Sequence, residues 1–267
     1  MSPARPAFRL SACLRLAAAP LLLAAVLWAV DWQEVARLAA SARAAWLAAA
    51  LACAVLANLC SAWRWRGLVL WLGHAVSLPW AQLAYFHAVG INALLPGAVV
   101  GGDLYRAIAL QRRGQASLEA GLSVLLHRLG GLWMLVVLGT FAAAWGVGAG
   151  DARWLAGLGL PAFPAFLFAF AAIALLAAPM VALALARHAS SSSQAGSGWG
   201  ARLAQVAHRV GAGNQYLRQV LGSTVVQLLS IGTLACAGRA LGVELAFWCY
   251  AVAAVPTFLL AALPVSF

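Results

Sequence analysis

The segment 92–106, NALLPGAVVGGDLYR, holds the densest group of residues that could do chemistry. Gly101 and Gly102 would let the backbone turn sharply or approach a ligand closely. Asp103 could cap the helix that follows, and Arg106, one turn further on, could pair with Asp103 or with a phosphate. A helix N-terminus beside an arginine suits an anionic lipid headgroup. The alternative interpretation is a turn, a helix cap and a juxtamembrane arginine that reaches the interface.

His127 and Arg128 form a second candidate, because they lie inside the long apolar run 116–147. An arginine at the centre of a membrane helix costs roughly 2.5–3.5 kcal/mol, and such residues usually face a bundle interior or a wet cavity. Glu119, Ser123 and His127 recur every fourth residue and share one helix face, to which Arg128 is adjacent. Arg128 could hold a phosphate or balance Asp103; alternatively it makes a structural ion pair.

Two proline-broken stretches resemble each other, residues 93–97 (ALLPG) and residues 261–265 (AALPV). Pro96 and Pro264 should each interrupt a membrane helix, because proline lacks the backbone donor. Interrupted helices at corresponding positions of two halves are typical of transporter binding sites.

Two further polar groups have simpler explanations. Residues 64–66 (RWR) read as arginines flanking an interfacial tryptophan at the end of a membrane span. Ser223, Gln227 and Ser230 form a polar stripe, which is more typical of hydrogen bonding between membrane helices than of substrate contact.

Composition decides which elements position these residues. The chain is 65% hydrophobic and 9% charged, with a mean hydropathy of +0.92, whereas soluble domains are about 25% charged. All 17 basic residues are arginines and lie mainly between apolar runs, which is a membrane pattern and excludes nucleic acid as a partner. The five cysteines form no CxxC pair and read as small buried residues.

We therefore predict an all-α fold, a polytopic transmembrane bundle with about six to seven spans, since a span needs about 20 apolar residues. The predicted spans are 14–30, 45–62, 116–147, 160–186, 220–236 and 245–267. If the arginine-rich connections are cytoplasmic, the N-terminus is cytoplasmic and residues 67–102 enter and leave on one side. That segment should be a re-entrant hairpin or two short helices, which is tolerated only beside protein or a wet cavity.

The whole chain, 1–267, is predicted to be a single integral membrane domain. Residues 1–13 are its cytoplasmic tail. Residues 187–218 form a cytoplasmic linker followed by a basic amphipathic helix. The chain lacks GxSxG, HExxH, P-loop and clustered-carboxylate motifs, so we expect no enzyme, no metal and no cofactor.

The motifs in 92–107 and in 123–130 (SVLLHRLG) resemble those of the lysylphosphatidylglycerol synthase transmembrane family, also called flippase-like domain proteins. Residues 64–66 are similar to its early basic-aromatic motif, and 263–266 to the start of its late Leu-Pro-x-Ser motif. The resemblance implies a multi-pass protein of a bacterial inner membrane that binds or translocates anionic lipids. The implied site residues are Asn92, Pro96, Gly101, Gly102, Asp103, Arg106, Arg128, Pro264 and Ser266, to which the residue pattern adds His127.

The chain also departs from the family pattern. Many members carry Glu where Asp103 stands, and often Glu-Arg where His127-Arg128 stands. The family continues beyond Phe267, so we expect the chain to be truncated at its C-terminus, and it lacks the aminoacyl-transferring domain of some relatives. The alternative function is a non-transporting accessory or regulatory subunit. The expected partners are membrane lipids with anionic headgroups, and a second copy or a membrane partner protein is also compatible with the sequence.

Overall fold

The computed structural model describes residues 28–94, 99–150, 157, 164–192 and 213–262. Within these ranges it contains helices, turns and short irregular connections, without a strand, and the predicted all-α class is confirmed. The helices are α1 (Trp32–Ser41), α2 (Ala44–Trp71), α3 (Leu78–Leu94), α4 (Val99–Gln111), α5 (Ser117–Gly148), α6 (Ala165–Ser192), α7 (Gly213–Ala240) and α8 (Phe247–Ala262).

Three of the described helices are long and apolar enough to cross a membrane: α2, α5 and the part of α7 from Tyr216 to Ala240. The 28 residues of α2 extend over about 42 Å, more than the roughly 30 Å of a hydrocarbon core. Shorter apolar helices are α8 and the part of α6 from Ala165 to Pro179. Nearly all of the predicted first span, 14–30, lies outside the described residues.

The scaffold is built on α2 and α7, which share the most extensive helix contact among the described elements. The backbone N–H of Arg43 donates to the Ala240 carbonyl at 3.0 Å, so α2 begins where α7 ends and the two helices are antiparallel. Helix α5 packs on both, and α8 packs closely on α5. A Cβ on Gly146 would lie 2.6 Å from the Trp248 ring; such small residues let membrane helices approach.

Helices α3 and α4 form a short hairpin. Near its tip, the Gly102 N–H donates to Asn92 Oδ1 at 2.8 Å. At its base, Ala81 and Leu110 belong to one buried cluster with Trp65 of α2. The chain thus enters and leaves the hairpin at the same end of the bundle, as predicted. The hairpin spans 78–111 rather than 67–102, and the 17 residues of α3 reach only about 25 Å.

Helix α8 approaches from the opposite end of the bundle, because it follows the turn after Ala240. It has 16 residues and is also too short for a full span at 1.5 Å per residue. Helix α3 ends at Leu94 and α8 ends at Ala262, each directly before one of the predicted breaks. Pro96, Pro264 and Ser266 themselves lie outside the described residues.

Several predicted boundaries were wrong. The second span does not end at Ala62: α2 continues to Trp71, so the RWR motif is part of the helix. Residues 31–44, which connect the first two predicted spans, contain the helix α1. The backbone N–H groups of Gln33 and Glu34 in α1 donate to the Asp31 carboxylate. The predicted linker 187–218 overlaps both neighbouring helices; its residues 193–212 lie outside the described part of the chain.

Candidate functional site

The hairpin, α2, α5, α7 and α8 line an open cavity of about 520 Å³ between the helices. Its charged wall comes from α2, α4 and α5. The side chains on this wall are Arg64, Asp103, Arg106, His127 and Arg128, and Tyr85 of α3 lies beside them.

Asp103 is the acidic centre of this wall. Its Oδ1 accepts from Arg106 Nη2 at 2.5 Å, and its Oδ2 accepts from Arg128 Nε at 3.0 Å. Asp103 and Arg106 are three residues apart and therefore meet on one face of α4. The cap interpretation of Asp103 was wrong, because α4 begins four residues earlier at Val99. Arg128 does pair with Asp103, which fits both sequence-based alternatives: balancing Asp103 within a site and a structural ion pair.

Arg106 is held by aromatic rings as well as by Asp103. Its guanidinium carbon lies 5.2 Å from the Trp65 ring centroid and 5.0 Å from that of Tyr85. Its Nη1 lies 3.5 Å from His127 Nδ1. His127 Nε2 lies 3.2 Å from the Ser61 carbonyl oxygen, which can only accept, so the hydrogen bonds assign the imidazole proton to Nε2.

Arg64 is the functional candidate that sequence reasoning placed wrongly at a membrane interface. It is 3% exposed and joins three helices, since its Nη1 donates to Ser223 Oγ at 2.7 Å and its Nη2 to the His127 carbonyl at 2.6 Å. Gly130 and Gly131 make room for it, because a Cβ on either would lie 3.3 Å from a guanidinium nitrogen. The apolar residues after Arg66, GLVLWL, were the signal that the helix continues.

The charged wall carries more positive than negative charge. Among the described lining residues, Arg64, Arg106 and Arg128 face the single carboxylate of Asp103, an excess of two positive charges. Arg64 and Arg106 each also have a buried Nε without a hydrogen-bond partner. A buried unpaired donor costs about 1–3 kcal/mol, and buried charge is stable only when it is paired. The wall is therefore suited to an anion with several acceptor oxygens.

The remainder of the cavity is neutral. It follows α2 from Arg64 back to Ala54, a distance of about 15 Å along the helix. Apolar residues such as Leu135 and Phe258 alternate here with uncharged polar ones. Those polar residues are Asn58, Gln227, Ser230 and Thr233. A cavity with a cationic end and a mixed neutral end matches an amphiphile better than it matches a small soluble anion.

The structure brings together half of the residues predicted for the site. Asn92, Asp103, Arg106, His127 and Arg128 line the cavity. Of the remaining candidates, three lie outside the described residues, as given above. The two glycines of the motif take other positions.

Gly102 contacts helix α3 instead of a ligand. A Cβ there would lie 2.7 Å from Asn92 Oδ1 and would overlap the Ala88 carbonyl. Gly101 lines a groove on the outer face of the hairpin. The glycines therefore position Asp103 by letting α4 pack against α3.

The interhelical role predicted for Ser223 and Gln227 is confirmed, because Ser223 accepts from Arg64 and Gln227 Nε2 donates to the Gly131 carbonyl at 2.8 Å. Ser230 instead bonds the Val226 carbonyl of its own helix and lines the cavity. Ala261 and Ala262, at the end of α8, line the same cavity as Asn92 near the end of α3. The two similar sequence stretches thus begin at one cavity.

These features define a helical, multi-pass membrane protein with a cationic cavity inside its bundle. The chain belongs to the lysylphosphatidylglycerol synthase transmembrane family, whose profile, described as the lysylphosphatidylglycerol synthase TM region, matches residues 13–266. Comparisons with curated proteins and with solved structures return no significant match. Family membership ties this membrane protein to lipid metabolism or transport.

Proposed function

We propose that the protein binds the phosphate of an anionic lipid in its central cavity and moves that headgroup between the two leaflets of a bacterial inner membrane, without catalysing a chemical reaction. The observation that carries the proposal is the excess of two positive charges on one wall of an amphipathic cavity inside the bundle. A phosphate brings negative charge and several acceptor oxygens, which arginines bind strongly.

The phosphate would be held by the arginines around Asp103. The carboxylate of Asp103 pairs with Arg106 and Arg128, and a phosphate would compete for the same guanidinium groups. Asp103 thus offsets one of the three positive charges and leaves the remaining excess to an anion.

The neutral end of the cavity offers a route onward. Asn58, Ser230 and Thr233 each donate to a carbonyl of their own helix, so these donors are satisfied within the protein. Their oxygen atoms remain able to accept from a headgroup or its water. Because α3 and α8 end at this cavity from opposite ends of the bundle, a headgroup there is near the tips of both short elements.

The proposed orientation follows from charge. At the hairpin end, the described charged residues outside the cavity include four arginines, Arg66, Arg112, Arg113 and Arg218, against one acid, Glu119. At the opposite end, Arg37, Arg43 and Arg239 are balanced by Asp31, Glu34 and Glu244. Since arginine-rich connections stay in the cytoplasm, the hairpin end is cytoplasmic, and so is the N-terminus if one span precedes α1.

The test is a flipping assay with purified protein in liposomes that contain fluorescent phosphatidylglycerol, using a membrane-impermeant quencher. We expect wild-type protein to expose the inner-leaflet probe, and Arg106→Ala with Arg128→Ala to slow this by at least tenfold. The matched control is Arg43→Ala with Arg239→Ala, which removes the same charge at the opposite end and should keep the rate.

An unchanged rate in the Arg106 and Arg128 variant would refute the site. Binding of phosphatidylglycerol without movement, together with co-purification of a stoichiometric partner, would instead support an accessory subunit.

A further inference from the structure

The outer face of the α3–α4 hairpin carries a second cavity, separate from the central one. It has a volume of about 480 Å³ and shares no lining residue with the central cavity. Leu104, Ile108 and Arg112 follow one another at every fourth residue, so they form one line along α4. Leu104 is 57% exposed and Ile108 is 37% exposed. An apolar stripe therefore leads up to an arginine at the cytoplasmic end of the helix.

Trp80 and Arg113 also line this second cavity, which we call the outer groove. The Arg113 guanidinium lies 4.6 Å from the Trp80 ring centroid, and Trp80 in turn lies against Trp65, with 6.1 Å between ring centroids. The turn after α4 is completed by Gly114, whose φ of +91° is in the region that favours glycine. A tryptophan with two arginines is the usual composition of a membrane interface on the cytoplasmic side.

A groove at the opposite end of the bundle provides a direct comparison. It also has an arginine over a tryptophan, with Arg239 5.0 Å from the Trp46 ring centroid, and it has a second arginine, Arg43. That groove contains Glu244, which lies 3.8 Å from Arg43. The described lining of the hairpin groove contains no acidic residue. Its two positive charges are therefore available to an external anion.

We propose that the outer groove of the hairpin binds one anionic phospholipid, separately from any lipid in the central cavity. Its phosphate lies between Arg112 and Arg113 beside Trp80, and one acyl chain lies along Leu104 and Ile108. A neutral or zwitterionic lipid would cover the stripe equally well but would gain less from the arginines.

The position of the groove gives this lipid a second effect. The groove lies on α4, whose other face carries Asp103 and Arg106. Trp80 and Trp65 join Arg113 to Arg106 by ring contacts of 4.6, 6.1 and 5.2 Å. A lipid that holds Arg113 and Trp80 in place would thus also restrict the movement of the hairpin, which carries Asp103 and Arg106 of the central site.

The experiment is native mass spectrometry of the purified protein titrated with phosphatidylglycerol or phosphatidylcholine, with Arg106→Ala and Arg128→Ala in the background so that the central site does not contribute. We expect one phosphatidylglycerol to bind well above phosphatidylcholine. Arg112→Gln with Arg113→Gln should weaken it about 30-fold, corresponding to about 1 kcal/mol for each arginine at the surface. The single variant Arg112→Gln, which leaves the Trp80 contact intact, should weaken it about fivefold.

The matched control is Arg43→Gln with Arg239→Gln, which removes two arginines and one arginine–tryptophan contact from the other groove and should leave the binding unchanged. Arg112→Lys with Arg113→Lys should retain binding within about threefold, because a point charge suffices for a phosphate. Inorganic phosphate at millimolar concentration should not compete. Equal binding of the two lipids, or equal losses in the two glutamine double variants, would overturn the proposal, whatever the result of the flipping assay.

Discussion

Replacement of Asp103 by asparagine tests the charge balance of the central cavity most directly. The change keeps the size of the side chain and removes the carboxylate that pairs with Arg106 and Arg128, which is the one carboxylate in a described lining that contains three arginines. Asp103, Arg106 and Arg128 have side-chain exposures of 17, 6 and 27%. Removing one partner of a fully buried ion pair costs about 3–5 kcal/mol; because Arg128 and Asp103 keep some exposure, we expect about 3 kcal/mol.

The expected result is a lower melting temperature that an anion restores. A loss of about 3 kcal/mol lowers Tm by roughly 6–12 °C in a protein of this size. A ligand at 100 times its Kd stabilises the folded state by about 2.7 kcal/mol. Since Asp103→Asn raises the excess charge of the wall from two to three, phosphatidylglycerol should bind the variant more tightly and recover most of the loss.

The assay is thermal unfolding in an uncharged detergent, with and without phosphatidylglycerol, on wild-type protein and the variant. Asp31→Asn is the matched control, because Asp31 caps the exposed helix α1 and asparagine caps a helix about equally well. If Asp103→Asn were as stable as wild-type protein without lipid, Asp103 would not be neutralising the arginines. If phosphatidylglycerol raised the melting temperatures of wild-type protein and Asp103→Asn equally, the affinity of the lipid would not depend on the charge of the cavity.

Two further predictions concern the hairpin and helix α1. Gly102→Ala should destabilise the protein by about 1–3 kcal/mol in the same unfolding assay, because its Cβ would overlap the Ala88 carbonyl. The control is Gly90→Ala, whose Cβ would meet no atom within 4 Å and which should stabilise α3 by up to about 1 kcal/mol. Equal effects of the two substitutions would contradict the close packing of Gly102 against α3. The hydrogen bond from Arg37 holds the pKa of Glu34 below its ordinary value of 4.5. The Glu34–Arg37 pair therefore stabilises α1 fully above pH 4.5, and this stabilisation is lost as the pH falls through the lowered pKa of Glu34. In wild-type protein, the protection of the backbone amides of residues 32–41 against hydrogen exchange should decrease as the pH falls. A decrease of the same size in Glu34→Gln would show that Glu34 is not the group responsible.

The sequence was sufficient for the fold class, because the fold class depends on local chemistry. Apolar runs long enough to span lipid are visible residue by residue. The breaks at Pro96 and Pro264 stay predictions, since both prolines lie outside the described residues. The hairpin followed from the parity of the arginine-rich connections, and its Ala81–Leu110 base confirms that reasoning. Its boundaries were less certain, since Gly67 lies inside α2, where it leaves room for Gln219 of α7.

The apolar residues after Arg66 indicate that α2 continues, but they do not show that Arg64 is buried between helices, because the groups that stabilise it are distant in the chain. Its hydrogen-bond partners, Ser223 Oγ and the His127 carbonyl, are 159 and 63 residues away. Without these distant partners, the cost of an arginine in lipid predicts that Arg64 lies at the membrane–water interface. For Asp103 the sequence offered both a helix cap and a pairing with Arg128, and the structure shows the pairing.

The pattern of buried charge supports a ligand more strongly than it supports a structural role. Each arginine at the centre of a membrane helix costs about 2.5–3.5 kcal/mol, and buried ion pairs can often be replaced by apolar residues without loss of stability. A bundle that needed only stability would therefore not require Arg64, Arg106 and Arg128 around one carboxylate. These residues come from three different helices, and Arg106 lies on α4, which packs against α3. The cost of these arginines agrees with the proposal that an anion completes the cavity, and the mixed apolar and uncharged polar remainder of the cavity is the reason we propose a lipid headgroup as that anion.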